Sequence, residues 1–160
     1  MYNAILRIPS VGVLFLHFRS MCLWFCFVGR CSMITLIGCE KEIHIDLSNG
    51  VWLFSNESSS GKSLLCKYLK QLHEKGFPVA AYDYNDYSSG VPIEGVLIPG
   101  KFDVIELDRY SLFNGVATDL IQECSKSSVI LIDCKQSLKF SYQCDFCFSE
   151  ICENQIIVDS

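Results

Sequence analysis

From Met33 onward, short apolar runs alternate with polar, glycine-bearing stretches. Ile43, Ile45 and Leu47 alternate with His44 and Asp46, the pattern of a strand buried on one face. Asn49-Gly50 follows, a two-residue turn suited to closing a β-hairpin onto the buried strand Val51-Trp52-Leu53-Phe54. Leu64, Leu65, Tyr68, Leu69 and Leu72 then recur at helical spacing, with Gly76 placed as a C-terminal cap. A second strand enters through Gly76-Phe77-Pro78 and runs into Asp83, Tyr84, Asn85 and Asp86. Residues 87–100, with Gly90, Pro92, Gly95 and Pro99, read as a long loop holding a short strand at Val96-Leu97-Ile98, a candidate lid or partner-binding insertion. Residues 102–108 read as a strand ending in an acid, and Glu106 inside it implies either a sheet edge or a functional cavity. A helix is expected over residues 111–124. Residues 128–133 form a near-continuous apolar run typical of a parallel strand buried on both faces. Residues 146–151 and 155–158 read as a closing hairpin or as two last strands. Strands alternating with helices mean α/β.

Residues 1–32 do not follow this pattern. They carry no acidic residue and are crowded with Phe, Leu, Val, Cys and Trp. His17 and Arg19 break the apolar run, leaving residues 21–29, well short of the roughly 20 residues that span a bilayer. A signal peptide fits the length but lacks a clear small-residue cleavage site. In a bacterial gene, Gly29-Arg30-Cys31 can be encoded as GGG-AGG-TGY, a ribosome-binding sequence shortly before the Met33 codon. The expectation is therefore a hydrophobic leader, 1–32, outside the domain, arising from a misassigned start or serving as an anchor, and one domain over 33–160. Membrane attachment follows only if the leader is real. The net charge of −5 gives no broad basic surface for nucleic acid.

The candidate chemistry lies in Asn56-Glu57-Ser58-Ser59-Ser60-Gly61-Lys62-Ser63, which has the spacing G-x-x-x-x-G-K-[ST] with Asn56 in place of the first glycine. Asparagine is the non-glycine residue most tolerant of the positive φ such a turn asks for. Set between a strand and a helix, the loop presents N–H groups and the positive end of the helix to a polyphosphate. In this motif and its frame the chain resembles the P-loop NTPase superfamily, on the side of the RecA-like and ABC/AAA ATPases. That resemblance implies a three-layer α/β fold with a mainly parallel sheet and an N-terminal β-hairpin. It also implies ATP and Mg²⁺ as ligands. Residues Asn56, Glu57, Ser58, Ser59, Ser60, Gly61, Lys62, Ser63 and Leu64 would then cradle the phosphates, Lys62 would reach the β- and γ-phosphates, and Ser63 and Asp108 would hold the metal.

In RecA-like ATPases an acid after the second strand activates the attacking water, which makes Asp83 and Asp86 the catalytic candidates; the alternative is a polar turn. Asp108 is followed by Arg109 rather than by the glutamate many AAA and ABC ATPases use. Arg109 reads as exposed or salt-bridged, or as a finger toward a neighbouring subunit in a homo-oligomer or partner complex. Lys135 falls where related ATPases carry a γ-phosphate sensor. Two rivals stand beside the ATPase: a small-molecule kinase with Asp83 or Asp86 as base, and a non-hydrolysing regulatory module. No N-K-x-D motif points to GTP. Ten cysteines beside a nucleotide loop suggest reduced thiols in a cytoplasmic protein. Cys144, Cys147 and Cys152, with Cys134 or a histidine, offer zinc as the alternative to core thiols.

A chain beginning at Met33 is expected to be more soluble than the full sequence and to bind ATP equally well. Intact-mass measurement of the native protein tests where the mature chain starts.

Overall fold

Strands form where the chain is apolar on both faces or on alternate residues, and helices where apolar residues recur every three or four positions. In chain order the elements are β1 (Leu6–Pro9), β2 (Ser32–Leu36), β3 (Glu42–Ile45), β4 (Gly50–Phe54), α1 (Lys62–Glu74), β5 (Val79–Tyr82), α2 (Tyr84–Ser88), β6 (Val104–Leu107), α3 (Thr118–Ser125), β7 (Val129–Ile132), β8 (Asp145–Ile151) and β9 (Gln155–Asp159). The computed structural model describes residues 6–9, 32–55, 61–113, 117–134 and 144–160.

The strands join in one mixed sheet, in the order β1-β2-β3-β9-β8-β4-β7-β6-β5. From β8 to β5 every pairing is parallel, with β4 held between β7 and β8. The other side is mostly antiparallel: β1 with β2, β2 with β3, and β8 with β9, while β3 and β9 run parallel. The protein is thus α/β, with a sheet parallel through most of its width and antiparallel toward one edge. Leu6–Pro9, inside the stretch read as a leader, is the outermost strand on that edge. Among the described residues no helix is long and apolar enough to cross a membrane.

The period-2 alternation of the strands divides the core in two. Trp52, Phe54, Val79, Ala81, Val104, Val129 and Leu131 face α1, whose Leu65, Cys66, Tyr68, Leu69 and Leu72 are buried against them. Val51, Ala80, Tyr82, Ile105, Leu107, Ile130 and Ile132 face the other way, toward Ile121 and Cys124 of α3 and toward Tyr110 and Phe113. Helix α1 ends as the sequence predicts. Gly76 has φ +86°, its N–H bonds the His73 carbonyl at 2.9 Å, and the Phe77 N–H bonds the Leu72 carbonyl at 3.0 Å. This is a Schellman closure, for which glycine is favoured because it carries no Cβ penalty.

Three expectations are corrected. The hairpin between residues 43–47 and 51–54 does not form, because the β8–β9 hairpin lies between β3 and β4. A strand apolar on both faces is best covered between neighbours, which β7 and β8 provide for β4. The one-sided β3 instead matches the one-sided β9, setting Ile43 beside Ile156 and Ile45 beside Val158. Residues 96–98 make no strand: the N–H groups of Val96 and Leu97 both bond the Ile93 carbonyl, at 3.0 and 3.1 Å, in a 3₁₀ turn that tucks Leu97 into the core. The helix expected over 111–124 is shorter, because Ala117 (φ +68°) leaves helical backbone space; a 3₁₀ turn at Tyr110–Phe113 precedes α3.

Leu69 is fully buried between α1 and the sheet, so Leu69→Ala should cost about 2–5 kcal/mol, whereas Gly76→Ala, which meets open space but keeps a positive φ, should cost about 1 kcal/mol. Urea unfolding of the two variants measures the difference.

Candidate functional site

A parallel arrangement of β4, β7, β6 and β5 delivers the residue after each strand to the same edge of the sheet. Ser55 follows β4, and its N–H and hydroxyl both bond the Cys147 carbonyl, at 2.8 and 3.0 Å. Residues Asn56, Glu57, Ser58, Ser59 and Ser60 lie outside the described residues. The loop is described again at Gly61, where φ is +90° and where an added Cβ would stand 2.5 Å from both Cγ1 and Cδ1 of Ile151. Glycine is favoured there by its backbone, and any side chain would also have to displace the end of Ile151. Gly61 caps α1, and its carbonyl takes the Leu65 N–H at 2.8 Å. Leu64 is half-buried against the core on the α1 face.

The two side chains that open α1 each meet an acid from a neighbouring strand end. Ser63 Oγ donates to Asp108 Oδ1 at 3.2 Å. Lys62 is buried, its Nζ 3.5 Å from Asp133 Oδ1 and 6.0 Å from the centre of the Phe54 ring. Both acids are set by backbone pairing: the Asp108 N–H bonds the Tyr82 carbonyl at 2.9 Å, and the Asp133 N–H bonds the Leu107 carbonyl at 3.0 Å. Burial and the nearby Asp133 push the Asp108 carboxyl up, against the pull of the Ser63 hydrogen bond and Arg109. Arg109 Nε is 3.9 Å from Asp108 Oδ2 with its side chain 57% exposed.

Glu106 lies two residues before Asp108, inside β6. That strand is paired on both sides, so Glu106 marks an interior position rather than an edge. It is fully buried, and among the described residues neither carboxyl oxygen has a hydrogen-bond partner. Burial, reinforced by Asp108 and Asp133 and opposed by Lys62, holds its carboxyl well above the ordinary range.

The acids after β5 are engaged in local structure. Asp83 caps α2: its Oδ1 accepts the N–H of Asn85 at 2.8 Å and that of Asp86 at 3.0 Å, while Asp86 Oδ2 accepts the Asp83 N–H at 3.0 Å. Lys70 of α1 joins them, its Nζ 2.8 Å from Asp83 Oδ2 and 2.5 Å from Asp86 Oδ2. Burial pushes the Asp83 carboxyl up, but the bonds from Lys70 and the α2 amides outweigh it and leave it below the ordinary value. A cleft of about 410 Å³ opens between α1 and these strand ends, and Ser63, Lys70, Asp83 and Asp108 all line it. Asp86 does not line that cleft; it faces a neighbouring hollow beside His73.

Ser63, Asp108, Lys62 and Asp83 are therefore brought to one place, while Lys135 lies outside the described residues. The sequence reading missed Asp133 as a partner of Lys62. Its signal is positional, an acid directly after a buried parallel strand on the loop's side of the sheet. It also missed Lys70, for which the sequence carries no signal, since its partners are set by the packing of α1 on β5. Zinc is not supported. Cys144 and Cys147, three apart in extended chain, pack on opposite faces of the sheet, and among the described residues no group of three His, Cys, Asp or Glu could hold a metal ion. Cys39, Cys66, Cys124, Cys147 and Cys152 are free thiols, and burial pushes Cys147 up to about 12.

Compared with family models and with curated proteins, the chain matches none of them.

A carboxyl raised in the folded state contributes stability that is complete below its ordinary value, here 4.5, and is lost as pH rises toward the folded value. Glu106→Gln removes that titration. Urea unfolding at successive pH values should show wild-type stability falling above about pH 5, by up to about 1.4 kcal/mol per pH unit, and a flatter curve for the variant.

Proposed function

We propose that the protein binds ATP with Mg²⁺ through a P-loop and hydrolyses it, on a fold of the P-loop NTPase type with α1 and α3 on opposite faces of the sheet. The observation that carries this reading is the 3.2 Å bond between Ser63 and Asp108. It joins the hydroxyl ending the G-K-S motif to an acid that the sequence reading chose for the same metal, from a strand two places away in the sheet. A small, reluctantly dehydrated Mg²⁺ takes one or two protein oxygens and completes its shell with water and phosphate, so this hydroxyl–carboxylate pair suits it. When bound, the ion would neutralise charge on the transferred phosphoryl group.

The chain's own groups divide the remaining work. Lys62 exchanges its contact with Asp133 for phosphate oxygens. The N–H groups at the start of α1, with no acidic residue in that first turn to compete, offer partial positive charge to the same anion. The acid we assign to take a proton from the nucleophile is Asp83, which lines the same cleft as Ser63 and Asp108. The cleft also favours a second reading, transfer to a small hydroxyl compound, because its volume exceeds what a water nucleophile needs. Product analysis distinguishes the two: free phosphate for hydrolysis, a phosphorylated acceptor for a kinase.

Lys62→Ala should abolish ATP binding with the fold intact, as read by calorimetry and circular dichroism; unchanged affinity in a folded variant would remove the P-loop assignment. Asp108→Asn should weaken binding in Mg²⁺ far more than in chelator. Equal losses in the two conditions would make Asp108 structural.

A further inference from the structure

The Asp83 carboxylate is poorly placed to act as a base in the arrangement described. Its Oδ1 is taken by the two N–H groups that start α2, and its Oδ2 is 2.8 Å from the Lys70 ammonium. Of these contacts only that to Lys70 can open without unwinding α2. Lys70 is held there by two charges. It sits on the third turn of α1, on the rim of the cleft, and a second anion, Asp86, is 2.5 Å from its Nζ. Its side chain is 30% exposed, enough for solvent or a ligand in the cleft to reach it.

We propose that Lys70 is a latch on Asp83, holding the carboxylate in an ion pair so that turnover of nucleotide stays slow until the pair opens; this rests on the nucleotide reading above. With the latch open, Asp83 Oδ2 receives the proton that the attacking water loses. In the same step the water oxygen bonds the γ-phosphorus, the bond from that phosphorus to the bridging oxygen breaks, and ADP leaves with the electron pair. With the latch closed, Oδ2 faces a cation, and the carboxyl is a weaker base than an ordinary aspartate. The charged groups around Asp83 are Lys67, Lys70 and Glu74 on α1, Asp86 on α2, and Asp108 and Arg109 after β6. Lys70 and Asp86 are the two that bond it side chain to side chain or side chain to backbone.

The test compares the full chain with Lys70→Met and Lys70→Arg, using ATP and Mg²⁺ as the probe. Lys70→Met should raise kcat about tenfold or more, leave ATP affinity within about twofold by calorimetry, and move the acidic limb of the pH–rate profile upward. Lys70→Arg should behave as wild type. Carboxyl carbon NMR without nucleotide should show the Asp83 titration moving up toward its ordinary value in Lys70→Met. Adding Asp83→Asn to Lys70→Met should return kcat to the wild-type rate or below. Unchanged or reduced kcat in a Lys70→Met protein that melts cooperatively and binds ATP overturns the latch alone, as does an increase that survives Asp83→Asn. If methionine prevents folding, Lys70→Gln is read by the same criteria. Failure of the wild-type chain to bind ATP overturns the nucleotide reading, and the latch with it.

Discussion

The parallel pairing of β4 between β7 and β8 is the constraint on which the rest of the molecule depends. Strands that run the same way end on the same side, so everything placed one residue beyond β4, β5, β6 or β7 arrives along one line. Register completes the effect. Leu53 stands beside Ile132, Ile132 beside Leu107, and Leu107 beside Tyr82, so Asp133, Asp108 and Asp83 leave the sheet at the same level. A slip of one residue in any of these pairings would exchange the face packed on α1 for the face packed on α3 and shift its acid out of line with the others. The site is in this sense a by-product of packing a hydrophobic sheet in one particular register.

The same geometry crowds negative charge. Asp108 and Asp133 meet the start of a helix whose own end is positive, Asp83 meets its third turn, and Glu106 lies buried with no hydrogen-bond partner among the described residues. Each acid is balanced differently: Asp133 by Lys62, Asp108 by Ser63 with Arg109, and Asp83 by Lys70. Glu106, fully buried, has its carboxyl held well above the ordinary range by burial and by Asp108 and Asp133, with Lys62 opposing, which favours its protonated form. A cation drawn into this edge would relieve the repulsion.

Much of the fold was readable because its signals are local. The run Val129-Ile130-Leu131-Ile132 is apolar at every position, and the recurrence from Leu64 to Leu72 has one period only, so β7 and α1 lie where expected. Gly76 could be named as the cap because a Schellman closure demands a residue free of Cβ. The pairing of β3 was not readable. Asn49-Gly50 is a good turn in isolation, but the partner of β3 is chosen by β9, more than a hundred residues on, and no local rule weighs that competition. The site divides along the same line. Gly61, Lys62, Ser63 and Asp108 are legible from motif and strand end, whereas the contacts Lys62–Asp133 and Lys70–Asp83 exist only after α1 has docked.

The approach of Ile151 to Gly61 ties the far hairpin to the loop. Two separate demands meet at Gly61, a left-handed backbone and an absent side chain, and shrinking Ile151 would relax only the second. Shrinking Ile151 would therefore leave the positive φ of Gly61 as a remaining cost for any other residue there. In a collection of descendant sequences the two positions would drift asymmetrically, Ile151 varying in size while Gly61 stays as it is.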